Sequence, residues 1–527
     1  MTSRLRQKPS VSTNSGVQRL PVPPDEWWWG GAVADGQLMP FGRFSHRRNL
    51  ATSAGFVDDD SRGGNQSAPL LVSSAGRYIW SDRPFAFTFD GAGGLAVDGD
   101  DVVLGQEGST LASAFRVAAA RHFPASNRTP AEQMFTAPQY NTWIEMPYHP
   151  TQEAVLSYAR GALEAGFPPG LIMIDDRWSA DYGDWSFDCK RFPHPAEMTR
   201  QLHELGFSVM LWLVPFVSPD SENSRMAASN GWLIKGPGGR PVVREWWNGH
   251  STVLDLTNPE AVAWLRRVLR DLMSEQGVDG FKFDAGDLRS YRPDDVTVAG
   301  DGPSGQCEAW ARLGAEFRFN EMRACWKMGG QPLAQRLHDK PRSWADDGLT
   351  SLIPESIAQG LIGHSFNCPD MIGGGELDSF RDGAPLDQEL FVRFAQCSAL
   401  FPMMQFSLAP WRVLDDRHLS AVLAAVNTRQ ALMRDLSRLF DHAARTGEPI
   451  LRPLAYHFPG YEAVHDQFLL GEEILCAPVL EPGATIRHVV IPPGRWRDND
   501  GSVIEGPAEI AVSVRLESLP FCRRISD

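Results

Sequence analysis

From about residue 130 to residue 447 the chain alternates short apolar runs with longer stretches of helical period. Runs at 141–146, 171–174, 207–214 and 253–256 are followed by helix-like stretches at 151–165, 195–205, 221–230 and 258–276. The pattern continues through 278–283, 307–328, 352–361, 390–400, 403–406 and 418–440. Apolar runs bounded by turn residues read as strands, and recurrence at i, i+3, i+4 reads as helix. Repeated β-α units over roughly 300 residues predict an α/β fold, a (β/α)8 TIM barrel more than a doubly wound sheet. Before it, strands at 69–72, 78–80, 85–89 and 102–104 are broken by Gly and Asp, and no helix of length fits. Residues 26–125 are therefore expected to form an N-terminal β-sandwich. After Gly447, strands at 474–479, 486–491 and 510–514 predict a C-terminal β-sandwich over 448–527, leaving 126–447 to the barrel. Residues 1–25 are polar, end in Pro21, Pro23 and Pro24, and read as a disordered tail.

Composition narrows the partners. The 527 residues carry a net charge of −15 with both signs intermixed, which argues against nucleic acid and anionic membrane. No apolar run approaches the roughly 20 residues of a membrane span. The seven cysteines are widely spaced without a C-x-x-C pair, so a reducing, cytoplasmic setting is expected over a zinc or disulfide framework. Arg4, Arg6 and Lys8 precede no apolar block, which argues against a secretory signal, with a transit peptide as the weaker alternative. Seventeen Trp suit an aromatic-lined sugar pocket, although most are expected to fill core. A homo-oligomer stays open.

The stretch from Gly277 to Asp287 concentrates the chemistry. A helix-like run capped by Asn258 and Pro259 ends at Gly277, and the strand after it delivers Lys282, Asp284 and Asp287. Side chains alternate along a strand, so Lys282 and Asp284 share a face opposite Phe281 and Phe283. In such a barrel the pocket forms where strands end. Glu145, Asp175, Asp176, Arg323, Asp339, Asp346, Asp347, His364 and Asp370 fall at comparable places. Histidines are scarce among them, so no metal is expected. The Gly-rich turn at 372–375 lacks the helix and Lys of a phosphate loop, and no dinucleotide fingerprint follows an early strand. Two carboxyls without a cofactor are what glycoside cleavage needs.

At this point the sequence resembles glycoside hydrolase family 31 from about Glu26 to the C-terminus. The blocks that carry the likeness are 184–188 with 191–195, Trp247-Asn248-Gly249 with 255–259, Leu451-Arg452-Pro453-Leu454 and Ala477-Pro478-Val479. The resemblance implies a retaining exo-α-glycosidase in which Asp284 is the nucleophile and Asp339 the acid/base. Asp339 precedes Trp344 by five residues and follows Arg323 by 16, as in the family's pattern, and Asp347 is the reserve acid. It further implies Asp175, Arg323 and Asp370 as hydroxyl-binding residues, Asp287 in the place of a nearby Glu, and Trp212 and Trp247 as apolar walls. Lys282 stands where α-glucosidases commonly have Trp, and Gln405-Phe406-Ser407 replaces a segment that usually carries a His. With Pro369-Asp370-Met371-Ile372-Gly373-Gly374, these departures resemble the myogenesis-regulating glycosidase branch and imply α-galactosidase activity on a carbohydrate substrate. The alternatives are another terminal sugar (an α-glucoside, α-xyloside or sulfoquinovoside) or a non-catalytic carbohydrate-binding protein on the same scaffold. Lys282 has a blander reading too, as a charge that balances Asp284.

Overall fold

The computed structural model describes residues 16–52, 66–345, 347–381 and 383–525. Eight parallel strands form one sheet: β1 (Gln139–Asn141), β2 (Leu171–Ile174), β3 (Ser208–Leu213), β4 (Gly280–Phe283), β5 (Phe319–Met322), β6 (Ala334–Arg336), β7 (Asn367–Cys368) and β8 (Gln405–Phe406). The order runs β7-β6-β5-β4-β3-β2-β1-β8. The ring closes where Met371 bridges Gln405, the Ile372 amide donates to the Gln405 carbonyl at 2.8 Å, and the Met403 amide donates to the Asn367 carbonyl at 3.0 Å. This is the expected TIM-barrel architecture.

The approach to β4 follows from local chemistry. Asn258 caps the helix Pro259–Gln276 by accepting from the Glu260 amide, Pro259 needs no donor at the first position, and Gly277 ends the helix at φ 71°. β4 then lies between β3 and β5, with Lys282 beside Trp212 and Glu321. Phe281 and Phe283 turn outward and pack edge-on against Phe317 and Trp310, which leaves Lys282 inside the barrel.

Several expectations are corrected. The first strand stops at Asn141 instead of reaching Met146, and Glu145 is bound by Arg412 (Nε, 2.6 Å) and the Ala409 amide. The run at 253–256 is no barrel strand: Gly249–Val253 belongs to a three-stranded antiparallel excursion with Val243–Trp246 and Phe216–Val217. The helix-like run at 307–328 divides into the helix Gly302–Gly314 and then β5. No helix joins β5 to β6. Cys325–Trp326 instead pairs in parallel with Gln66 and Ser67 of an N-terminal sheet.

The N-terminal segment contains two sheets. One orders Gln18–Pro21, Gly94–Asp98, Ala86–Asp90 and Ser45–Asn49, and the other is built on Gln66–Ser73. Residues 18–21, expected in a tail, are thus a paired strand, while residues 1–15 of that tail lie outside the described residues. The helix Leu111–His122 also departs from an all-β reading. Thr110 and Ser113 form its capping box, and an Ala-rich face packs into the core. Beyond the barrel, Leu451–Arg452, Phe468–Leu470, Ile474–Cys476, Phe521–Ile525, Ile486–Arg497 and Val503–Ser513 make a six-stranded antiparallel sheet over its own core around Leu469, Ile491 and Trp496. Among the described residues no helix is long and apolar enough to cross a membrane.

Candidate active site

A pocket of about 310 Å³ opens at the C-terminal ends of the barrel strands. Its wall includes Asp175, Trp212, Trp247, Lys282, Asp284, Arg323 and Asp339. A larger cavity of about 500 Å³, lined among others by Gln37, Pro354, His465 and Arg487, shares no residue with it.

Asp284 follows β4 directly. Its Oδ1 accepts from Arg323 Nε at 2.6 Å and from the Ala285 amide at 2.8 Å, while its Oδ2 accepts from Trp212 Nε1 at 2.8 Å. Burial alone would favour the protonated acid, but Arg323, Lys282 and Arg336 outweigh it and hold the carboxyl well below its usual range. Asp284 is therefore a carboxylate at any ordinary pH. Arg323, from the end of β5, also donates from Nη2 to Asp287 at 3.0 Å, and its guanidinium lies 5.6 Å from the Trp247 ring. Trp247 itself is 47% exposed at the rim.

Lys282 is buried and its Nζ donates to Asp175 Oδ2 at 2.7 Å. Burial works against its charge, but Asp175, with further help from Asp284 and Glu321, more than restores it. Lys282 thus pairs directly with Asp175 and, at longer range, still helps to balance Asp284. Next to that pair, Asp176 accepts from Asn248 Nδ2 at 2.7 Å and Tyr182 Oη at 3.3 Å, both on Oδ2. Burial and the adjacent Asp175 push its carboxyl up to about 6.

Asp339 lies three residues past Arg336, the last residue of β6, and its side chain is 39% exposed. Arg336 is fully buried and distributes its donors: Nη1 to Asp339 at 2.7 Å and to Asp370 at 2.5 Å, Nε to Glu321 at 3.1 Å. Gln66, from the N-terminal sheet, donates to the carbonyls of Arg323 (2.6 Å) and Arg336 (2.8 Å). The strand that replaces the β5–β6 helix therefore ties both site arginines to the N-terminal domain.

Two residues expected to touch substrate lie behind the wall. Asp287 is buried and held by Arg323, and Asp370 is buried at φ 100°, held by Arg336 and the Lys340 amide at 2.8 Å. Burial and the neighbouring Asp339 raise the Asp370 carboxyl. Asp347 also stands outside the pocket wall. Against burial, His338 (2.6 Å) and Lys340 (3.0 Å) hold it well below its usual range. Asp346 lies outside the described residues. His364 is buried and pushed down to about 3 by burial, so it stays neutral. His338, Asp347 and Glu355 could together offer a metal three ligands. Lys340 Nζ already donates to Asp347 and, at 2.6 Å, to Glu355, so the cation among them is the protein's own.

The sequence reading missed Trp143, Tyr148, Arg289, Glu376, Leu377, Asp378 and Arg381 in the wall, and noted Asp176 without a site role. The last four of the missed residues follow the Gly-rich turn, where loop length hides their direction. Asp176 carried a signal, as an acid directly beside Asp175 at the end of β2.

Comparison with known proteins settles the lineage. Residues 133–313 match the glycosyl hydrolases family 31 TIM-barrel domain, and residues 447–525 match the family's C-terminal domain. The chain belongs to glycosyl hydrolase family 31. It is 35% identical over 416 residues to the myogenesis-regulating glycosidase of Mus musculus, covering 76% of this chain and 57% of that protein. It is 27% identical over 339 residues to the sulfoquinovosidase of Escherichia coli K12, covering 59% and 49%. The chain thus spans about half the length of these relatives. The family 31 dextranase of Flavobacterium johnsoniae complexed with glucose superposes with a TM-score of 0.83 at 20% identity, covering 98% of this chain and 67% of that one. That likeness places this family 31 chain in the same fold.

Proposed function

We propose that this family 31 chain is a retaining exo-α-glycosidase, with α-galactosides as its preferred substrates. The observation that carries the reading is the pairing in one pocket of Asp284, buried and held ionised by Arg323, with Asp339, a second and more exposed carboxyl. Asp284 attacks the anomeric carbon, forming the carbon–oxygen bond as the glycosidic bond breaks. Its Oδ2 has one donor against two on Oδ1, so Oδ2 has the greater capacity to form the new bond. Asp339 gives its proton to the departing oxygen, then takes one from water as water displaces Asp284 from the sugar. Asp347 suits this role less, because His338 and Lys340 keep it ionised.

The sugar assignment rests on Lys282 and Asp175. An ammonium offers three donors, of which one is committed to Asp175, so the others can meet sugar hydroxyls at the pocket floor. An indole at that place would mainly stack. The resemblance to the myogenesis-regulating glycosidase supports glycosidase activity without naming a sugar. The relative named a sulfoquinovosidase keeps an anionic sugar as the second reading. The test is hydrolysis of aryl α-galactoside, α-glucoside and α-sulfoquinovoside by the native chain and by Asp284→Ala. Galactoside turnover that vanishes in the variant supports both parts. Preference for another of the three sinks the sugar assignment, and Asp284→Ala activity equal to the native chain sinks the mechanism.

A further inference from the structure

Asp176 has no role in the mechanism above, yet it lines the pocket and is 2% exposed. Its two oxygens differ. Oδ2 is fixed from two sides by Asn248 and Tyr182, whereas Oδ1 is buried and has no hydrogen-bond partner among the described residues. A buried carboxyl oxygen without a partner is costly, and a ligand hydroxyl that reaches it removes that cost. The neighbours are arranged to keep Oδ2 in place. Asn248 sits at the tip of the hairpin that carries Trp247, and Tyr182 packs edge-on against both Trp212 and Trp246. Asp176 therefore joins the pocket wall to the excursion between β3 and β4.

We propose that Asp176 selects the terminal sugar: its Oδ1 accepts a hydroxyl of a neutral hexose and disfavours a sugar that presents an anionic group there. The inference rests on the reading of this pocket as a sugar site. It goes further by giving Asp176 the selecting role, since two adjacent carboxyls, one of them with no cation in contact among the described residues, repel an anionic group. Asn248 and Tyr182 occupy Oδ2, so a proton taken near pH 6 goes to Oδ1 and turns it from an acceptor into a donor, and binding through an accepted hydroxyl should fade there. The charged and titratable groups facing it include Asp175, Arg177, Tyr182 and Tyr148. Asp175 is tied to Lys282, Arg177 lies over the Tyr182 ring at 5.2 Å, and burial pushes the hydroxyls of Tyr182 and Tyr148 up, away from neutrality.

The experiment is NMR titration of the native chain with D-galactose, D-glucose, D-galacturonate and D-glucuronate between pH 5 and 8. A neutral hexose should bind more tightly than its uronate at pH 7.5, with Kd rising about tenfold per pH unit below 6. Asp176→Asn keeps the shape and should weaken hexose binding about tenfold or more at pH 7.5, with a flat pH profile. Asn248→Ser removes a donor that favours the charged form, so its midpoint should move above that of the native chain. A merely structural role would not move that midpoint. Preference for the uronates, binding of none of the four sugars, or an Asp176→Asn profile that matches the native one would overturn the proposal. Binding with the expected profile but without glycoside turnover would overturn the catalytic reading and leave this one standing.

Discussion

Replacing Arg323 by Met should expose how much of the pocket depends on one guanidinium. Arg323 is buried and serves two buried carboxylates at once, Asp284 at 2.6 Å and Asp287 at 3.0 Å. Removing one member of a buried ion pair costs about 3–5 kcal/mol, because the partner's charge stays buried and uncompensated. Asp284 would keep Trp212, the Ala285 amide and the more distant Lys282, while Asp287 Oδ1 already lacks a partner among the described residues, so most of the penalty falls on Asp287. The sign with pH follows from the depressed carboxyl of Asp284. A carboxyl held below its unfolded value contributes stability above that value and loses it as pH falls through the folded one. Native Asp284 therefore contributes fully at every pH from 7 to 4, whereas in Arg323→Met the buried carboxyl, without its main cation, takes up a proton at a higher pH; the cost should be largest at pH 7 and shrink towards pH 4 as the variant's Asp284 protonates. Urea unfolding at pH 7, 5.5 and 4 measures it, and kcat/KM against pH reports the second consequence: the acid limb moves up into the accessible range as Asp284 becomes easier to protonate. A destabilisation that is the same at all three pH values, with an unchanged acid limb, would refute the reasoning.

Three other outcomes follow from the same geometry. Gln66→Leu takes the side-chain donor from the carbonyls of Arg323 and Arg336, each orphaned group costing about 1–3 kcal/mol, while the Gln359 amide keeps the Gln335 carbonyl at 3.3 Å; the thermal midpoint should fall and KM rise although residue 66 is in the N-terminal sheet. Asp339→Asn should lower kcat about 10²–10⁴-fold on substrates with poor leaving groups and far less on dinitrophenyl glycosides. Asp347→Asn should show no such leaving-group dependence; if it does, the acid/base role belongs there.

How much was legible in the chain depended on how locally each feature is determined. Asn258, Pro259 and Gly277 bound their helix by backbone chemistry confined to a few residues, and the Phe281/Lys282/Phe283 alternation followed from the period of a strand, so β4 and its inward Lys were readable. β6 has three residues and β7 two, too few for a period of two to register, and β5 was hidden behind a helix with which it forms one apolar run. The helix Leu111–His122 lay among strands and its small residues gave little contrast. Asp287 and Asp370 matched motif positions, but a motif does not say which of two neighbouring carboxyls faces the pocket. That depended on where Arg323 and Arg336 reach across the barrel. The wall residues after Gly375 come from a loop, whose direction no sequence period encodes.

The central claim is that Asp284 is the group that bonds to the sugar. The direct measurement is to incubate the native chain with 5-fluoro-α-D-galactopyranosyl fluoride, digest it, and locate the label by mass spectrometry. The account predicts one fluorogalactosyl ester, on Asp284. A label on Asp339 or Asp175, or release of the β-anomer as first product with no ester formed, would contradict it.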